Sequence, residues 1–357
     1  MNKAHYIIPI FVPHEGCPHD CVFCNQNRIT GSTTKVDADF VKNTIEEYLS
    51  TIPRESSVVE VSFFGGSFTA INIEKQKELL AVAKAYKDKG AIDYIRLSTR
   101  PDYIDDAILT NLKDYSADII ELGVQSLDSE VLIKSSRGHS AEDVYRASKL
   151  IKEYGFILGH QIMLGLPGDT FEKDIATTKK IIKLKPELCR IYPALVIKDT
   201  PMEILYNKGL YSPYTLEEAV DIAKIIYGLL KVNNINVIRI GLQPTEEIAE
   251  GKSMVAGPFH PAFRELVESS LMNEMILKEM PSGEGDTLTI AVNSRDISKL
   301  YAYKKKFFVD MKKQLQTINI KVIQDDSVER ENILLKLGKN AKNMSIYEYL
   351  LKKHKEG

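Results

Sequence analysis

From Tyr6 to Gln243 the chain alternates short apolar runs rich in β-branched residues with stretches of helical period. That alternation limits the fold more than any other feature. Repeated strand–helix units bring parallel strands into one sheet with helices laid over it. The strand-like runs begin at Tyr6, Val58, Tyr94, Asp118, Leu158, Leu188 and Val237. Helical spacing appears over residues 37–49, 73–89, 141–154, 170–184 and 215–232. About six units are too few to close an eight-stranded barrel. The predicted class is therefore α/β, a partial (β/α)6 TIM-like barrel with its site at the C-terminal ends of the strands.

After Gln243 the pattern changes. A helix over residues 264–280, a strand over 287–292, a helix over 296–314, a strand over 318–323 and a tail helix over 345–355 predict a small α/β appendage capping the barrel. The expected organisation is a core domain at residues 1–243 and an accessory α/β domain at 244–357. With 44% apolar residues in 357, the chain can bury a large core. Lysine and arginine total 47 against 49 acids, a net charge of −2, so no global basic excess argues for nucleic acid. Lys304-Lys305-Lys306, Lys312-Lys313 and Lys352-Lys353 read as a solvated face, with contact to an RNA backbone as the alternative. There is no apolar run of membrane-spanning length, and the N-terminus lacks the apolar block of a secretory signal. The expected compartment is the cytoplasm, with no membrane partner.

Three of the four cysteines, Cys17, Cys21 and Cys24, stand on one short stretch with C-x3-C-x2-C spacing. A 4Fe–4S cluster usually takes four cysteines. Three would leave one iron open to another ligand. The competing reading is a structural zinc site with His14 or His19 as fourth ligand, although zinc sites usually pair two CxxC-like knuckles. A disulfide fits poorly, because three clustered cysteines leave one over. Cys189 stands alone beside an apolar run and reads as a small buried residue. Phe23, just before Cys24, either shields a cluster from water or packs in an ordinary core.

The polar residues of interest fall at strand ends. Gly65-Gly66-Ser67 follows the second strand, where glycines let backbone approach a ligand and expose its amides. Gln125 and Ser126 end the fourth strand. Arg137, in a Ser-Arg-Gly-His loop, is a candidate partner for a ligand carboxylate, because a guanidinium fork matches one. Gln161 lies in the fifth strand, before Gly165-Leu166-Pro167-Gly168. Arg100 and Asp102 either serve the site or cap the next helix. Glu121, inside an apolar run, requires a partner: a ligand or a neighbouring cation.

The cysteine spacing resembles the radical S-adenosylmethionine (SAM) superfamily. In that family the open iron chelates SAM, and an electron from the cluster releases a 5′-deoxyadenosyl radical. Phe64-Gly65-Gly66-Ser67-Phe68, Ser98 to Asp102, Glu121 to Ser126, Arg137-Gly138-His139, Met163 to Gly168 and Arg190-Ile191-Tyr192-Pro193 together resemble the radical SAM half of the elongator catalytic-subunit family. Those enzymes modify a tRNA uridine and carry an acetyltransferase domain; no acetyl-CoA-type glycine-rich loop follows Gln243 here, and the cysteine spacing is the shorter one of the wider superfamily.

The resemblance implies a 4Fe–4S cluster on Cys17, Cys21 and Cys24. It implies SAM contacts at Gly65, Gly66 and Ser67 (amino group), Arg137 (carboxylate), and Gln125 and Gln161 (methionyl and ribose parts), with the Gly165 loop beside the adenosine. The expected activity is hydrogen abstraction from a substrate, a tRNA base being one candidate. A flavodoxin-, ferredoxin- or reductase-type electron donor is the expected redox partner. Two alternatives stand beside it: a radical SAM oxidoreductase acting on a small molecule, and a non-catalytic RNA-binding protein that keeps SAM and cluster.

Overall fold

The computed structural model describes residues 3–12, 20–25, 36–242, 252–315 and 318–355. The first half runs β1 (Ala4–Val12), α1 (Ala38–Leu49), β2 (Ser57–Gly65), α2 (Ile73–Asp88), β3 (Tyr94–Thr99), α3 (Asp106–Asp114), β4 (Ile119–Gln125), α4 (Ser129–Lys134), α5 (Ala141–Glu153) and β5 (Ile157–Leu164). It continues through α6 (Phe171–Leu184), β6 (Leu188–Pro193), β7 (Val196–Ile197), α7 (Pro201–Asn207), α8 (Leu216–Val232), β8 (Asn236–Ile240) and β9 (Met254–Ala256). The last part comprises α9 (Phe263–Glu279), β10 (Thr287–Val292), α10 (Ile297–Tyr301), α11 (Lys306–Gln314), β11 (Asn319–Gln324), β12 (Asn332–Leu337), β13 (Asn340–Ser345) and α12 (Ile346–Lys355).

Seven strands form one sheet in the order β1-β2-β3-β4-β5-β6-β8, with every neighbouring pair parallel. The sheet curls into a half-barrel, the α/β partial barrel expected. Its convex face is apolar: Ile8, Ile10, Val59, Val61, Phe63, Ile95, Leu97, Ile120, Leu122, Leu158 and Ile191 are buried in one core cluster with the helices. Helices begin where a short oxygen-bearing side chain stands. Asp37, Asn72, Asp105, Ser140, Thr170 and Thr215 each accept a hydrogen bond from a first-turn amide of the helix that follows.

A second sheet has the order β11-β10-β12-β13. β10 pairs parallel with β11 and antiparallel with β12, and β12 and β13 form a hairpin turned by Gly338 at φ 57°. Helix α9 packs against α8 on one side and α10 and α11 on the other.

Three expectations are corrected. The run from Leu188 to Ile197 is two strands, because Pro193 has no N–H with which to extend the ladder. β7 instead pairs antiparallel with β9. The helix expected over residues 296–314 is broken, since Tyr303, Lys304 and Lys305 adopt left-handed φ values of 54°, 52° and 66°. The hairpin β12–β13 was not expected at all. Among the described residues no helix is long and apolar enough to cross a membrane.

Candidate cofactor site at the strand ends

Strand β1 delivers the chain to the cysteine stretch. Cys17, His14 and His19 lie outside the described residues. Cys21 and Cys24 belong to a tight turn in which the Cys24 amide donates to the Cys21 carbonyl at 2.9 Å. The turn is stapled to the barrel rim. Val22 donates to Ser135 O at 3.1 Å and accepts from Met202 N at 2.9 Å. Its side chain is buried among Val131, Leu166, Ala194, Val196, Met202 and Tyr211, and Phe23 packs against the same cluster. Phe23 therefore packs in a core as well as standing next to Cys24.

Arg137 is buried beside Cys21. It leaves α4 through Ser136 and Gly138, both left-handed at φ 51° and 79°. Its Nη1 lies 3.4 Å from Cys21 Sγ, and its Nη2 donates to Gly123 O at 2.6 Å. Its Nε has no hydrogen-bond partner among the described residues. Gln125, also left-handed at φ 65°, sits at a register shift between β4 and β5. Its Oε1 is likewise buried and unpartnered among the described residues. The two side chains close on Gly123: a Cβ there would lie 2.9 Å from Arg137 Nη2 and 3.1 Å from Gln125 Nε2. An open donor and an open acceptor beside Cys21 are suited to a polar ligand at the strand ends.

At the end of β2, Gly65 has φ +103°, and a Cβ on it would stand 2.6 Å from Val12 O. Glycine is required there by the close approach of β1. The Gly66 amide donates to Val12 O at 3.1 Å, so that amide is not exposed to a ligand as the sequence suggested. Ser67 is buried. Arg100 does not cap the next helix. It pairs with Asp102 through two contacts of 2.9 Å, and Asp105 is the cap. Ser126 is buried with its Oγ 3.3 Å from Thr177 Oγ1.

The concave face carries a buried ion network. Arg190 grips Glu121 bidentately at 2.7 and 3.0 Å. Arg96 bridges Glu121 to Glu60, reaching Glu60 at 2.7 and 2.8 Å. Ser62 Oγ donates to Glu60 at 2.5 Å, and His5 stands 3.3 Å from it. Gln161 donates to Glu121 at 2.9 Å and to Ser98 Oγ at 3.2 Å. Gln161 is thus held by the network through its donor end. Burial opposes ionisation of Glu121, but the charges of Arg190 and Arg96 outweigh it and hold the carboxyl below its ordinary range. Glu121 therefore has neighbouring cations as its partners.

Two further groups frame the rim. His139 Nε2 faces Val124 O at 3.2 Å, and burial, then the charges of Arg137 and Arg100, push its pKa down to about 3. It is neutral at physiological pH. In the Gly165 loop, Tyr211 OH donates to Gly165 O at 2.6 Å and Tyr214 OH to Asp174 at 3.1 Å. Burial and the nearby Asp169 carboxyl raise the pKa of Asp174 strongly, so Asp174 resists ionisation. Sequence reasoning missed Glu60, Arg96 and Asp174 as members of these groups.

The arrangement matches known proteins. Residues 11–181 match the radical SAM superfamily and residues 186–273 the radical SAM C-terminal domain. The chain belongs to the radical SAM superfamily. The enzymes of this superfamily use a 4Fe–4S cluster and SAM, and the sulfurs of Cys21 and Cys24 with the unpartnered atoms of Arg137 and Gln125 fit that pair. A tRNA uridine(34) acetyltransferase of Methanocaldococcus jannaschii is 27% identical over 60% of this chain and 47% of its own length. The heme chaperone HemW of Bacillus subtilis is 23% identical over 67% of this chain and 62% of its own. The solved Elp3 of Methanocaldococcus infernus superposes with a TM-score of 0.61 at 23% identity, covering 77% of this chain and 64% of that one. The chain thus spans about half the length of the acetyltransferase it matches.

Proposed function

We propose that this chain is a radical SAM enzyme that abstracts a hydrogen atom from a substrate, with a tRNA base as the substrate class. When bound, the cluster and SAM supply an electron and a 5′-deoxyadenosyl radical. Cys17, Cys21 and Cys24 hold the cluster. Arg137, anchored on Gly123 O, keeps one edge of its guanidinium for the SAM carboxylate and lies against Cys21. Gln125 offers its amide oxygen to a hydroxyl or ammonium of the same ligand. Gly65 to Ser67 bring backbone to the amino group, and Gln161, fixed by Glu121, lines the wall toward the ribose. The cluster of Val22, Phe23 and Met202 keeps water from the cysteine turn. The accessory domain docks on the outer helix α8 through α9 and α12. A reducing cytoplasm and a small flavodoxin or ferredoxin complete the setting.

The observation that carries this reading is the pair of buried unpartnered atoms, Arg137 Nε and Gln125 Oε1, next to Cys21 at the strand ends. The tRNA class rests on likeness to the archaeal acetyltransferases. The test is anaerobic reconstitution with iron and sulfide, then a SAM cleavage assay with and without bulk tRNA. Formation of 5′-deoxyadenosine, raised by tRNA, is expected. Cleavage raised only by a small-metabolite extract would move the substrate to that class. No cleavage by a fully loaded protein would defeat the enzyme reading.

A further inference from the structure

Two tyrosines between α7 and α8 converge on one residue, Gly165, the first after β5. Tyr211 donates its hydroxyl to Gly165 O at 2.6 Å. Gly165 is left-handed at φ +73°, and a Cβ on it would stand 2.6 Å from Tyr214 Cδ2, so the Tyr214 ring lies directly against its backbone. Tyr214 is itself fixed from α6. Its hydroxyl donates to Asp174 Oδ2 at 3.1 Å, and the Phe171 ring meets its ring edge-on at 5.2 Å. The Gly165 amide faces the same Asp174 carboxyl. Gly165 is thus held on its carbonyl side by Tyr211 and on its other side by Tyr214, with Asp174 behind them.

Tyr211 also reaches the other way. Its ring is buried in the cluster that contains Val22, Leu166 and Met202. Val22 stands between Cys21 and Cys24, and its amide and carbonyl are pinned by Ser135 O and Met202 N. One side chain therefore belongs to the packing under the cysteine turn and hydrogen-bonds the Gly165 loop. Both tyrosines stay donors, because burial and the carboxyls of Asp169 and Asp174 push each phenol above its ordinary range. Asp174 is buried and resists ionisation, so it accepts from Tyr214 without placing a full charge beside the loop.

We infer that Tyr211, backed by Tyr214 and Asp174, is a positioning residue for SAM: it ties the cysteine turn to the Gly165 loop and thereby seats the nucleoside half of the ligand. This rests on the enzyme reading above and adds to it the device that joins the two ends of the site. Releasing the hydroxyl frees the loop and leaves the packing of the cysteine turn in place. Affinity for SAM should then fall while the capacity to take up iron does not.

The experiment reconstitutes the full chain, Tyr211→Phe, Asp174→Ala and Asp174→Asn with iron and sulfide. Iron content and circular dichroism are compared first. SAM is then titrated by equilibrium dialysis, and hydrogen exchange is followed in peptides covering residues 163–169. Tyr211→Phe and Asp174→Ala are expected to keep their iron, to exchange faster across that loop, and to bind SAM about tenfold more weakly. Asp174→Asn keeps an uncharged acceptor for Tyr214 and should recover most of the affinity lost in Asp174→Ala. Folded, iron-loaded Tyr211→Phe that binds SAM as the unmodified chain does would overturn the inference. Loss of iron together with affinity in that variant would overturn it too, making the tyrosine a prop of the cysteine turn alone. An unmodified chain that holds iron and sulfide but binds no SAM would sink the enzyme reading and this inference with it, a failure visible without any variant.

Discussion

The rim and the floor of the half-barrel are built from the same strands and differ in one respect. On the floor the acids are spent: Glu60 and Glu121 are closed by Arg96, Arg190, Ser62 and Gln161. At the rim, Arg137 Nε and Gln125 Oε1 are buried and left open among the described residues, and the backbone turns left-handed at Gly65, Gln125, Ser136, Gly138 and Gly165. A satisfied network holds its strands in register but offers nothing to a ligand. Unpaired atoms and strained backbone cost stability and are kept where a ligand repays them.

The comparison is broken most severely at the rim by Cys21→Ala, which removes a proposed cluster ligand. Iron content after reconstitution should fall to background and 5′-deoxyadenosine formation should cease, while urea unfolding moves little. The largest stability effect belongs to the floor. Glu121→Gln strands two buried guanidiniums and should cost about 3–5 kcal/mol in urea unfolding at neutral pH. The native carboxyl titrates below its ordinary value of 4.5. Its contribution is therefore complete above that value and is withdrawn as pH falls through the lowered native one. The unmodified chain should lose stability in acid more steeply than Glu121→Gln.

Gly65→Ala tests the junction of the two regions. Its Cβ would meet Val12 O at 2.6 Å from a φ of +103°, so a loss of about 1–3 kcal/mol is expected, with weaker SAM binding in equilibrium dialysis. The smallest effect should come from Cys189→Ala. Burial raises that thiol to about 12. The change should cost about 1 kcal/mol and leave iron content untouched, and in the unmodified chain Cys189 should stay unreactive to thiol reagents until the chain unfolds.

The half-barrel was legible because each core strand is an apolar run with a cap residue before the next helix, as at Ser140 and Thr215. At the rim, Arg137 lies beside Cys21 and meets Gln125 across Gly123, three residues that the family resemblance had singled out. The floor was legible only at Glu121, flagged as an acid in need of a partner. Glu60, Arg96 and Arg190 each stand singly inside an apolar run, and only parallel pairing shows that the four charges share one face. That recurrence, one ionisable residue inside each of four strands, was the signal available. In the last third, the turn at Tyr303 to Lys305 has neither Gly nor Pro to mark it. The strands Asn332–Leu337 and Asn340–Ser345 carry too many polar residues to stand out.

The central claim is that three cysteines hold a cluster whose open corner takes SAM. Electron paramagnetic resonance of the reduced, reconstituted chain tests it most directly, recorded before and after SAM is added. The account predicts an iron–sulfur signal that changes shape on SAM addition and changes only at higher SAM concentration in Arg137→Gln. A colourless, silent protein containing about one zinc per chain, as a closed Cys3His site would give, would contradict it.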